Sequence, residues 1–150
     1  MLTIEEIQPH QFIAAKAVTE SVAQELWDSP LDEIRQYDPL TDSDDIQASY
    51  FGNNGTLLVP LRESVVGTDG IHAAGDQCCV LKRLWLQKPF PGQGWGKRLS
   101  LQLLEFAKTR GYRKVRLTVA SPHLQEPAVG LYRKVGFIPV EEPPQTIWSD

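Results

Sequence analysis

Pro91-Gly92-Gln93-Gly94-Trp95-Gly96-Lys97-Arg98-Leu99 is the stretch from which the rest of the chain can be read. Three glycines alternate in it. Upstream, residues 77–86 carry apolar side chains on both faces of a strand apart from Lys82 and Arg83, as in a central strand covered from both sides. Downstream, Leu99, Leu103, Phe106 and Ala107 recur at helical spacing. Lys108 and Arg110 suit the C-terminal dipole of that helix, and Gly111 suits its stop. Glycine lets backbone take positive φ and approach a ligand closely. The helix start adds unpaired N–H donors and about half a positive charge. The loop therefore reads either as a phosphate cradle, with Lys97 beside it, or as a glycine-rich turn with no ligand. A dinucleotide fingerprint would need Gly where Lys97 stands. A Walker loop would need Gly at Pro91 and Ser or Thr at Arg98. Both fail.

Working outward, residues 56–61 and 65–73 read as strands joined to 77–86 by short polar connections, following an Asn53-Asn54-Gly55 turn. Residues 2–7 form a further short strand. Pro9 suits a first helical turn, and Phe12, Ala15, Val18, Val22 and Leu26 predict a helix to about Trp27. A shorter helix is expected over 30–37. The acidic segment 38–45 lacks the Gly and closing Glu of a calcium loop and reads as solvated. After the glycine loop and its helix, Val115, Leu117 and Val119 alternate as a strand. A helix opened by Pro127 places Ala128, Leu131 and Val135 inward and ends at Gly136, and 137–140 and 146–148 close the sheet. No repeat, linker or second domain interrupts residues 1–150.

At 150 residues the chain suits one core. Its net charge of −4 argues against nucleic acid as a partner, since backbone phosphates are held by cations. No apolar stretch approaches the roughly 20 residues that span a bilayer, which predicts no membrane partner. Adjacent Cys78 and Cys79 would point to opposite faces of a strand, so they read as reduced and buried. Together with an acidic, h-region-free start, they predict a cytoplasmic protein. No metal site is expected.

Leu81-Lys82-Arg83-Leu84-Trp85-Leu86, followed by the glycine loop, resembles the GNAT superfamily of N-acetyltransferases. Its signature is Arg or Gln, two residues, Gly, one residue, then Gly or Ala. Ala128-Val129-Gly130-Leu131-Tyr132-Arg133-Lys134-Val135-Gly136-Phe137 resembles the same superfamily's second motif. The resemblance runs from about residue 56 to 140. It implies an α/β (α+β) domain with a mixed, mostly antiparallel sheet and helices on both faces. It also implies acetyl-CoA as cosubstrate and an amine acceptor, a small molecule or a peptide, with a homodimer as a possible assembly. Carried over, Gly92, Gln93, Gly94, Trp95, Gly96 and Lys97 hold the pyrophosphate, while Leu84, Trp85 and Leu86 run beside the pantetheine arm. Gln125 stands where many relatives carry an Asn facing the coenzyme. Tyr132 is placed near the sulfur as a proton or hydrogen-bond donor. The coenzyme is expected to enter where strands 77–86 and 114–119 diverge.

Two positions depart from the pattern. Pro91 occupies the Arg or Gln position, and Val80 stands where close relatives carry a candidate catalytic Glu. An amine of pKa about 10.4 costs about 4–5 kcal/mol to deprotonate at neutral pH, so another proton acceptor is needed. Asp69 and His72 are the candidates on the neighbouring strand. Three positions apart, they face opposite sides, so only one can face the cleft. His72 has the better intrinsic pKa. His10 and His123 fall near element ends. Two rivals are a non-catalytic acetyl-CoA sensor and a plain nucleotide-binding protein.

Overall fold

Residues 3–75, 77–87, 94–117 and 126–138 are described by the computed structural model of the chain, with 126–128 described by backbone alone. Five strands lie side by side in the order of the sequence: β1 (Thr3–Glu6), β2 (Thr56–Leu61), β3 (Gly67–Ala73), β4 (Cys78–Leu86) and β5 (Lys114–Arg116). The first four pair antiparallel, and β5 joins β4 in parallel. This is the mixed, mostly antiparallel sheet expected. Around it lie α1 (Phe12–Trp27), α2 (Leu31–Tyr37), the single turns α3 (Thr41–Asp44) and α4 (Ile46–Ser49), α5 (Trp95–Thr109) and α6 (Glu126–Lys134). Residues 137–138 are not strand, and the rest of the expected closing strands lies outside the described residues.

Side chains alternate across a strand, and that alternation builds two cores. On β2, Leu57 and Val59 pack with Ala15 and Val18 of α1 and with Ile46 of α4. Leu58, between them, points the other way and joins Leu99, Leu103 and Ala107 of α5 and Tyr132 of α6. Helices thus cover both faces. Fully burying one such Leu or Val contributes about 1.5–3 kcal/mol, so both faces favour folding. Free Cys78 and Cys79 are buried here, as expected. Among the described residues no helix is long and apolar enough to cross a membrane.

One place breaks the alternation. Leu81, Leu84 and Leu86 all meet the α5-side core, yet residues three apart on a regular strand face opposite sides. Thr68 opposes Trp85 and Gly70 opposes Lys82, so Asp69 alone faces both Arg83 and Leu84. That is a β-bulge, one extra residue in the central strand. Arg83 takes a left-handed φ of 64° to make it. Its carbonyl accepts a hydrogen bond from the buried Thr68 hydroxyl at 2.7 Å.

The acidic segment 38–45 is not the solvated loop that composition suggests. Asp42 and Ser43 are buried in α3. A buried carboxylate is costly unless paired, and Arg83 supplies the pairing. Its Nε and Nη2 reach Asp42 at 3.0 and 2.8 Å, and its Nη1 and Nη2 reach Asp38 at 2.5 and 2.9 Å. The buried Tyr50 hydroxyl donates to Asp42 at 2.6 Å.

Candidate active site

The start of α5 is built to receive an anion. Gly94 caps it with φ 80°, and the Arg98 N–H donates to the Gly94 carbonyl at 3.1 Å, closing the first turn. The amides of Trp95, Gly96 and Lys97 precede that bond and have no acceptor within the helix. No acidic residue sits in the first turn, while Lys97 and Arg98 are exposed there. The Arg98 guanidinium lies 4.3 Å from the Trp95 ring centroid. Two cations at the positive end of a helix dipole leave the site short of negative charge. Gly96 sets how closely the helix approaches its neighbours: a Cβ there would lie 3.0 Å from Leu131 of α6 and 3.7 Å from Leu84 of β4. Gly92, Gln93 and Gln125 lie outside the described residues.

β4 runs beside this helix end. Among the described residues β5 pairs with it at Cys78–Val80, through Lys114, Val115 and Arg116. Residues 118–119, over which strand 114–119 was expected to continue, lie outside the described residues, and so does the expected divergence of the two strands. Leu84 and Leu86 are half-buried on the α5 side. Alternation puts buried Trp85 on the opposite face, where its indole N–H has no hydrogen-bond partner among the described residues. Downstream of the bulge, the strand therefore offers two leucines toward α5 and α6.

Tyr132 is buried on that same side, edge-on to Phe137 at 5.7 Å between ring centroids. Burial first, and then the nearby Asp69 carboxylate, push its hydroxyl pKa up, so it holds its proton at neutral pH. Asp69 is fully buried, with the Ser100 hydroxyl 3.4 Å from Oδ2 and no partner to Oδ1 among the described residues. Burial drives its carboxyl well above the ordinary range, against the opposing effects of Ser100 and the Gly70 amide. His72 lies on the other face, edge-on to Tyr50 at 6.1 Å. Its Nδ1–H donates to the Ala73 carbonyl at 2.8 Å, to which the Asn53 amide also donates at 3.2 Å. The odd spacing of Asp69 and His72 thus separates them as expected, and Asp69 is the one on Tyr132's side. The two candidate catalytic residues, Tyr132 and His72, are not brought together.

Sequence reasoning missed Arg83 and its acidic partners. A lone guanidinium in an apolar strand and an unexplained acidic segment were both visible, but nothing local linked them.

Known proteins resemble the chain in sequence and in fold. Residues 19–137 match the model of the acetyltransferase (GNAT) family. Human N-acetyltransferase 8B is 36% identical over 104 residues, covering 65% of this chain and 45% of the relative. Human N-acetyltransferase 8 is 34% identical over the same length. The chain therefore spans 45% of the length of these curated relatives. Among solved structures, a GNAT-family acetyltransferase from Staphylococcus aureus superposes with a TM-score of 0.81 at 16% identity, over 95% of this chain and 87% of that one. The PaiA N-acetyltransferase from Thermoplasma acidophilum, solved in complex with coenzyme A, gives 0.78 at 18% identity, over 95% and 93%. At these identities the structures speak to the fold.

Proposed function

Because the chain belongs to the acetyltransferase (GNAT) family, we propose that it transfers the acetyl group of acetyl-coenzyme A to a primary amine of a small molecule or peptide. The observation that carries this is an anion-seeking helix start set beside the stretch of β4 that turns Leu84 and Leu86 toward it. The coenzyme bound to the PaiA relative and the names of the human relatives support the same reading.

Acetyl-coenzyme A supplies a thioester whose carbonyl carbon an amine can attack directly, forming C–N and breaking C–S, with the proton given up by nitrogen balancing the one taken up by the departing sulfur. The chain's own residues divide the remaining work. The amides of Trp95, Gly96 and Lys97 suit the pyrophosphate, each charged hydrogen bond contributing about 1.5–3 kcal/mol, and Gly92, Gln93 and Gln125 complete that set in the reading from sequence. Leu84 and Leu86 offer apolar surface to the pantetheine arm, with Trp85 backing the strand from its other face. Tyr132, which keeps its proton at neutral pH, can donate to the departing sulfur. Asp69 shares that side of the sheet, whereas His72 is engaged with Ala73 on the other.

The test pairs calorimetry with a thiol-release assay on the same protein. Acetyl-CoA is expected to bind with measurable heat, and thiol release is expected only when amines are added. Binding without release across a broad amine panel would overturn the enzyme and leave a sensor. Competition by ATP but not by coenzyme A would overturn both.

A further inference from the structure

Resting on the acetyltransferase reading, we infer that Arg83 is a positioning residue for the coenzyme. Clamped by Asp38 and Asp42, it holds β4 in its bulged register and so turns Leu84 and Leu86 toward α5. The register carries the argument. A one-residue bulge inverts the facing of every side chain beyond it. With the bulge at Arg83, Leu84 and Leu86 join the α5 side. Were β4 regular, Trp85 would point there instead, and the two leucines would face α1.

Nothing in the local sequence favours a bulge at this residue. A left-handed φ is disfavoured for any residue with a Cβ, and Arg83 adopts 64°. The preference must come from the side chain. Its fork makes four contacts of 2.5–3.0 Å to two carboxylates, one on the segment after α2 and one in α3. Those acids lie on the α1 face, opposite the coenzyme side. A regular strand would aim Arg83 at the α5 core, where Leu81, Leu99 and Leu103 pack. The ion cluster therefore draws the arginine across the sheet, and the bulge is the backbone's way of allowing it. Thr68 holds the result by donating to the displaced Arg83 carbonyl. A buried polar group that sets register is the best-attested use of such clusters. Bidentate geometry also requires arginine rather than lysine.

The experiment removes the clamp and asks about the backbone alone. R83A and R83G are each made in a D38N/D42N background, so that no unpaired carboxylate is left buried. Both lack the guanidinium, and only glycine takes a left-handed φ freely. The alanine variant is expected to show an acetyl-CoA KM about tenfold above the glycine variant, with kcat at saturation far less separated. A merely stabilising Arg83 predicts the reverse order, since glycine weakens a strand relative to alanine. Equal KM values in two folded variants would overturn the proposal. Should the alanine variant fail to fold, R83K in the otherwise unaltered chain replaces it. One ammonium cannot grip two carboxylates in fork geometry, so KM should rise by about threefold or more, and an unchanged KM overturns the proposal. Wild-type protein that binds no acetyl-CoA would instead overturn the acetyltransferase reading beneath it.

Discussion

Replacing Asp42 with Asn should lower stability at neutral pH and flatten its fall in acid. Burial pushes the Asp42 carboxyl up, but the hydrogen bonds and charge of Arg83 outweigh it and hold the pKa at about 2, against an ordinary 3.8. A carboxylate depressed on folding stabilises above its unfolded pKa and loses that contribution as pH falls through its folded pKa. At about 1.36 kcal/mol for each tenfold in proton affinity, the gap contributes about 2 kcal/mol, present above about pH 5 and lost on approach to about pH 2. Asn cannot titrate, and it leaves Arg83 facing Asp38 with one charge too few. Breaking such a buried pair costs about 3–5 kcal/mol. With Asp38 still in place, D42N should cost about 2–3 kcal/mol near neutrality, a Tm loss of roughly 5–10 °C. Urea unfolding of both proteins from about pH 6 to about pH 2.5 makes the comparison, with equal m-values as the control for two-state behaviour. The gap should narrow by about 2 kcal/mol toward the acid end. A gap that stays constant across the range would refute the claim that Asp42 is a buried, Arg83-paired carboxylate.

Asp69 predicts the opposite sign. Its pKa is raised on folding, so its contribution is greatest below the unfolded value and falls as pH rises. D69N should therefore gain on wild type from acid toward neutral pH in thermal melts; a constant offset would argue against a buried, titrating carboxyl. Y132F should lower the rate of acetyl transfer at least about tenfold while leaving acetyl-CoA affinity by calorimetry nearly unchanged; an unaltered rate removes Tyr132 from its role. At Gly70 an added Cβ would meet the Tyr50 ring at 2.5 Å and Leu57 at 2.9 Å. G70A should cost about 1–3 kcal/mol by chemical denaturation through overpacking, and wild-type stability would mean that the Tyr50–Asp42 side can yield.

How far these features could be read in advance depends on how local their causes are. β2 begins and ends at residues 56 and 61 as expected, because Asn54 and Gly55 turn the chain there and apolar side chains follow. The start of α5 was legible in the same way: glycine chemistry and amphipathic spacing act over a few residues, and Gly94 and Gly111 adopt the positive φ their positions suggested. Tyr132 came from a motif, and α6 covers Glu126–Lys134 with Gly136 at positive φ just beyond it. Tyr132 is its buried residue, however, while Leu131 and Val135, expected inward, are half-buried and the Ala128 side chain lies outside the described residues.

Arg83 shows where that kind of reading stops. Apolar residues stand on both faces of β4, so its pattern fits a regular strand, with Trp85 on the α5 side, as well as a bulged one, with Leu84 and Leu86 there. Hydrophobic pattern cannot choose between the two registers. The choice is made by Asp38 and Asp42, 45 and 41 residues earlier in the chain, and by a fork that can hold two carboxylates where an ammonium cannot. An acidic stretch looks solvated whenever its counter-charge is that distant in sequence. Only folding brings the two together, and the register of the strand beside the candidate site follows from their meeting.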